Sequence, residues 1–156
     1  MIAIILTIYS FIPQTELKAP EQIAFDYFIE NTFDVKYVDN GKAFFSGLSE
    51  SKASISGPFQ DCFKSDDSFK DFFYNEKAES VSQQRIDFTE TKRFRKSCKV
   101  KKKGLNVEVY RAVDRDGFAY VYLKVYKMQH FVDHYLYKVS LSDLEVVDTC
   151  SQSEII

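Results

Sequence analysis

"LNVEVYRAVDRDGFAYVYLKVYKMQHFVDHYLYKVS", residues 105–140, is the stretch on which the fold turns. Valine and tyrosine recur through it in steps of two, the period of a strand, and both are strand-forming residues. Four turn signals divide this stretch and its flanks: Lys103-Gly104, Arg115-Asp116-Gly117, Phe131-Val132-Asp133 and Ser142-Asp143. The pattern predicts a five-stranded antiparallel meander over 92–102, 105–113, 118–129, 134–140 and 144–150.

Register follows from asking which loop lengths keep like residues together. A three-residue loop at 115–117, with Gly117 left-handed, sets Val107 opposite Val125, Val109 opposite Leu123 and Val113 opposite Ala119. On the other face Tyr110 meets Tyr122, Ala112 meets Tyr120 and Glu108 meets Lys124. A second three-residue loop at Phe131–Asp133 sets Val125 opposite Val139 and makes His130 and His134 direct cross-strand neighbours, with Cβ atoms about 5 Å apart. These are the only histidines in the chain. Zinc takes three or four protein ligands, so the pair is half of a metal site, with Asp133 the nearest third candidate. Asp133 and His134 also form the one general-base pair the sequence suggests, although no nucleophile or oxyanion motif accompanies them. The plainer reading is a histidine pair at a hairpin end.

Alternation then sorts the sheet into two faces. One carries Val107, Val109, Val113, Val121, Leu123, Val125, Val139, Leu144 and Val146, joined by Phe94, Cys98 and Val100; it reads as core. The other gathers Tyr110, Tyr120, Tyr122, Tyr126, Met128, His130, His134 and Leu136, and the neighbouring strand adds Arg93, Arg95, Lys99 and Lys101. Rings interleaved with cations suit an anionic ligand, by stacking and charge. The same composition also suits an ordinary solvated sheet surface, or a face covered by a helix.

Upstream, "TELKAPEQIAFDYFIENTF" (15–33) reads as a helix, with Pro20 and Glu21 in its first turn and Ile23, Ala24, Tyr27 and Phe28 on one stripe. Asn40-Gly41 is a type I′ hairpin signal and predicts strands at 35–38 and 42–46. Residues 47–60 read as a loop or weak edge strand. "SDDSFKDFFYN" (65–75) reads as a short helix capped by Ser65, with Phe69, Phe72 and Phe73 inward; the polar stretch 75–91 is ambiguous. The order helix, hairpin, short helix, meander defines an α+β domain with helices on one face of a curved sheet. That order is similar to NTF2-like and cystatin-like domains. The similarity rests on element order alone, and such folds host enzymes and binding modules alike.

The chain divides into residues 1–13 and a single domain over 14–156. "MIAIILTIYSFI" holds ten apolar residues in twelve, too short to span a bilayer but of the length of a signal-peptide hydrophobic region. No Lys or Arg follows Met1 and no A-x-A cleavage site appears. Those two features make the match incomplete; on its apolar length the segment is read as an export signal or anchor, with a buried strand as the alternative. Cys62, Cys98 and Cys150 form no CxxC; one disulfide among them is allowed, but spacing selects no pair.

Net charge is −2, yet residues 92–103, "KRFRKSCKVKKK", carry eight Lys or Arg and no acid. The rest of the chain holds thirteen basic and twenty-three acidic residues. One basic stripe on an acidic body does not argue for nucleic-acid binding. Phosphate-cradling glycine loops, G-x-S-x-G, HExxH and EF-hand loops are absent from the sequence. The leading expectation is an exported or envelope-associated, non-enzymatic module. It binds a small anionic ligand or a protein through the sheet, needs no cofactor, and touches membrane only through residues 1–13. The alternatives are a pocket enzyme using His134 and Asp133, an inhibitor or structural partner protein, and a cytoplasmic location.

Overall fold

In the computed structural model, residues 17–50, 62 and 83–155 are described. The short helix expected at 65–75, most of the 47–60 segment and residues 1–13 lie outside them.

The described chain is an α+β domain: one helical segment against a curved, open sheet of seven strands. Helix α1 runs Pro20–Phe28, continues through a π turn at Ile29–Phe33 and ends in α2, Asp34–Lys36. Pro20 stands at its start after the extended Ala19, where a missing N–H costs nothing. The π turn is closed by Asp34 N–H donating to the Ile29 carbonyl. It inserts one residue and rotates the next turn, so that Phe33 and Tyr37 both point into the core beside Phe28.

The strands are β1 (Ala43–Glu50), β2 (Phe94–Lys96), β3 (Leu105–Tyr110), β4 (Val113–Arg115), β5 (Phe118–Lys127), β6 (Phe131–Ser140) and β7 (Glu145–Ile155). Their order is β2-β1-β3-β5-β6-β7, with β4 also on β5. The sheet is mixed, because β1 is parallel to both β2 and β3. The five-stranded antiparallel meander is therefore corrected: the antiparallel part is β3/β4, β5, β6 and β7, and β1 separates β2 from β3.

The hairpin expected around Asn40-Gly41 is also corrected. Residues 34–36 complete the helical segment, and Val38–Asn40 form a 3-10 turn. Gly41, at φ +70°, lets the chain leave that turn for β1. The positive-φ tolerance read as a hairpin turn serves as a helix stop. Tyr37 is held by the buried face of the helical segment and not by a strand.

Two registers depart from alternation alone. Val107↔Val125, Glu108↔Lys124 and Val109↔Leu123 pair as expected. Beyond them Val113 faces Tyr120 and Arg115 faces Phe118, leaving a two-residue loop of Asp116 and Gly117, both at positive φ. A bulge at Arg111-Ala112 absorbs the extra residue and rotates Val113 onto the tyrosine face. Glu21, buried in the first helical turn, accepts the Ala112 N–H at 2.9 Å. Glu21→Ala is expected to destabilise by about 1–3 kcal/mol, read from urea unfolding, because it leaves that N–H without an acceptor.

The second departure lies at the histidines. The β5–β6 turn is Met128-Gln129-His130, closed by His130 N–H to the Lys127 carbonyl at 3.0 Å, with Gln129 left-handed. Val125 thus faces Asp133 instead of Val139. The displacement is an even number of residues, so every side chain keeps its expected face. His130 is an exposed turn residue and His134 stands opposite Lys124. The expected His130–His134 neighbourhood does not form.

Helix and sheet enclose the main core: Ile23, Ala24, Phe25, Phe28 and Phe33 against Phe45, Phe94, Val107, Val109, Val121, Leu123, Val125 and Val139. Cys98 and Val100, expected in this core, are exposed in the loop after β2.

Candidate functional site

The tyrosine face is a second, smaller core. Tyr120, Tyr122 and Leu136 are buried there with Cys62, and Tyr110, Val113, Phe118 and Cys150 pack against them. Cys62 is joined to Cys150 of β7 by a disulfide. The Tyr110 and Tyr122 rings stack at 4.7 Å. The Tyr110 and Tyr126 hydroxyls donate to the two oxygens of Glu108, at 2.7 and 2.8 Å. Tyr122 and His134 Nδ1 share a 2.7 Å hydrogen bond. Burial, with the nearby Glu108 carboxylate, pushes the Tyr110, Tyr122 and Tyr126 hydroxyls well above the ordinary phenol range. All three are neutral phenols rather than acids, with Tyr110 and Tyr126 donating to Glu108.

Tyr110, Tyr120, Tyr122, Tyr126 and His134 thus come together, as their alternation requires. Arg93, Arg95, Lys99 and Lys101 do not join them, because β1 stands between β2 and β3. Arg93 turns toward the helix, stacks 4.6 Å over the Phe33 ring and donates to the Tyr37 and Gly41 carbonyls. Arg95 donates to the Lys92 and Phe94 carbonyls. Lys99 and Lys101 lie in the loop after β2. The Lys101 main chain donates to the side chain of Asn106, which pairs with Tyr126.

Asp133 and His134 are both buried, but as successive strand residues they point to opposite faces of β6. They cannot act as one acid–base pair. His134 lies 3.7 Å from Glu154 on β7. Burial holds its pKa below the usual histidine value; Lys124 acts in the same direction, Glu154 and Asp133 against it. The folded state accepts this proton less readily than the unfolded chain. Its contribution is therefore fully present above the unfolded pKa of about 6.5 and is lost as pH falls through the folded value. Melting temperature should fall between pH 7 and pH 5, and His134→Gln should flatten that slope.

Asp133 reaches the helix side, where sequence reasoning placed no polar group. Its carboxylate accepts the Tyr37 hydroxyl at 2.5 Å and pairs with Lys36 at 3.1 Å; the Tyr37 and Tyr135 hydroxyls are 2.7 Å apart. Lys36 also lies over both rings. Burial first, then the hydrogen bonds to Asp133 and Tyr135, drive the Tyr37 hydroxyl far above the ordinary phenol range. Asp133, Tyr135 and Tyr137 on an otherwise aliphatic face were the available sequence signal for this cluster. With Lys36 also donating to the Ser153 hydroxyl on β7, the cluster fastens the end of the helical segment to β6 and β7.

One open feature adjoins the helix on its other side. A groove runs between α1 and residues 87–93, with Phe25, Ile29 and Phe88 as its apolar floor. Its rim holds Lys18, Asp26, Glu30, Asp34, Asp87, Glu90, Lys92 and Arg93. Several of these are already engaged. Lys18 pairs with Asp26 at 2.8 Å and Arg93 with Asp34 at 3.6 Å, while Asp87 accepts the Thr89 N–H and hydroxyl. Glu30 and Glu90 make no hydrogen bond or close ion pair among the described residues. Among those residues no three His, Cys, Asp or Glu side chains gather as a metal site, and no helix is long and apolar enough to cross a membrane.

Comparison with family models, curated proteins and solved structures finds no match to this chain.

Proposed function

We propose that this chain is a small, exported, non-enzymatic binding module whose partner occupies the groove between α1 and residues 87–93. The observation that carries the reading is the groove itself: an apolar floor inside a polar rim, the arrangement by which binding sites combine affinity with orientation. Once internal pairs and the Asp87–Thr89 hydrogen bonds are set aside, the carboxylates of Glu30 and Glu90 outnumber the one remaining cation of the rim, Lys92. A ligand there would carry a positive group beside an apolar one, such as a peptide segment with a basic residue. This partner differs from the anionic ligand suggested by the tyrosines and the basic stripe, whose rings are committed to internal stacking and hydrogen bonds.

Export draws support from the Cys62–Cys150 disulfide, since such bonds persist chiefly in oxidising compartments. The mass of the mature protein from its native host tests this part. Loss of the N-terminal hydrophobic segment, with one alkylatable thiol and not three, is the expected result; an intact chain with three free thiols would refute it.

The binding reading is tested by titrating the isotope-labelled chain with a peptide of alternating phenylalanine and arginine. Amide shifts should concentrate at Ile29, Glu30 and Phe88–Lys92, and Glu30→Gln with Glu90→Gln should weaken binding about tenfold. Shifts elsewhere, or none at millimolar peptide, would overturn the assignment.

A further inference from the structure

The eight basic residues of 92–103 are not spread over the surface. Arg93 is consumed by Phe33, Asp34 and two carbonyls, whereas Lys99, Lys101, Lys102 and Lys103 sit together, all exposed, on the loop that leads from β2 to β3. Lys96 continues the patch at the end of β2, whereas Arg95 is engaged by the Lys92 and Phe94 carbonyls. None of these lysines makes an ion pair among the described residues, where the pairs formed by cations involve Lys18, Lys36, Arg93, Arg115, Lys124 and His134.

The loop is built, not slack. Ser97 N–H donates to the Phe45 carbonyl at 2.9 Å, and the Ser97 hydroxyl donates to the Lys99 carbonyl at 2.8 Å. Further on, the buried Asn106 side chain accepts the Lys101 N–H at 2.7 Å and donates to the Lys101 carbonyl at 2.8 Å. Gly104, at φ +93°, presses on the Lys42 carbonyl and the Phe44 ring so closely that a Cβ would stand 2.8 Å from each. Between the pinned residues 99 and 101, Val100 is held out at 54% exposure.

An apolar tip flanked by exposed lysines distinguishes among polyanions. Single-stranded nucleic acid is bound by basic grooves that offer aromatic rings, and residues 97–104 contain none. A bilayer surface carrying anionic headgroups offers phosphates to the lysines and an apolar boundary to the valine. The acidic remainder of the chain would be repelled from the same surface, which selects one orientation. We propose that the loop after β2, residues 97–103, with Lys96 at its base, docks this domain on an anionic lipid bilayer, with lysine ammoniums on headgroup phosphates and Val100 at the acyl boundary.

The test is co-sedimentation of the full chain with vesicles of phosphatidylcholine alone or with about one-third phosphatidylglycerol, at low and high salt. All variants retain residues 1–13, so any contribution from that segment cancels. Wild type should prefer the anionic vesicles by about a hundredfold or more, with the preference shrinking as salt rises. Replacing Lys99, Lys101, Lys102 and Lys103 together by glutamine should remove it, at about fivefold per lysine. Val100→Ser, which keeps the charge, should weaken binding severalfold at fixed salt. Should the quadruple variant fail to fold, Lys101→Gln and Lys102→Gln singly should each show the fivefold step. Equal binding to both vesicle types, or a quadruple variant that binds like wild type, would overturn the proposal. So would a Val100→Ser variant indistinguishable from wild type, which would leave a site for soluble polyanions such as heparin.

Discussion

Replacing Cys62 and Cys150 by serine is expected to lower the unfolding free energy by about 4 kcal/mol, measured by urea titration under non-reducing conditions. The disulfide closes a loop of 88 residues, and constraining a loop of that length in the unfolded chain corresponds to about 4–5 kcal/mol in the chain-entropy account. It also ties Cys62 onto Tyr120, Tyr122 and Leu136, so the second core loses its covalent clasp with it. Cys98→Ser is the control: that thiol is exposed and free, and its replacement should change stability by less than about 0.5 kcal/mol. Adding a reductant to the wild type should reproduce the double variant and not the control.

Asp133→Ala is expected to cost about 3 kcal/mol, and Asp133→Asn clearly less. The carboxylate is buried and serves the Tyr37 hydroxyl and the Lys36 ammonium at once. Removing one partner of a buried pair leaves the other uncompensated, at about 3–5 kcal/mol. Lys36 remains partly exposed and can turn to water, which puts the loss at the lower end. Asparagine keeps an acceptor for Tyr37 and gives up only the charge. Because Tyr37 closes the helical segment, protection from amide exchange should fall first over residues 33–38 in the alanine variant.

The face of each residue in the antiparallel strands was largely legible in the sequence, as was the succession β3, β5, β6, β7; the neighbours of β1 and β2 were not. Alternation in "YVYLKVY" assigns Leu123 and Val125 to one side and Tyr122 and Tyr126 to the other, and that assignment holds in the sheet. Register survived only in parity at the β5–β6 turn, where an even displacement leaves every face unchanged and so leaves no trace in a period-2 pattern. The bulge at Arg111-Ala112 escaped for a different reason. It is stabilised by Glu21, a residue of the first helix, and nothing local to 105–118 records it.

The candidate site was less legible. The tyrosines were grouped correctly, but their burial depends on Cys62, whose pairing spacing could not choose. The basic residues were joined to them on the premise that neighbouring strands in sequence are neighbours in the sheet. The β1 strand, parallel to both β2 and β3, breaks that premise. Helical and hairpin signals also competed at "VKYVDNG", where the buried ring of Tyr37 and its link to Asp133 accompany helix continued to residue 36.

The position of β1 has a kinetic meaning as well. Its partners on β3 arrive about sixty residues later in the chain, so its docking must await closure of a long loop, whereas β5, β6 and β7 join through tight turns. The hairpins at Asp116-Gly117 and Met128–His130 are the natural early structure. Insertion of β1 between β2 and β3 is expected to be the late, slow step in refolding, completing the sheet and, with it, the wall against which Phe25 and Phe94 close the core.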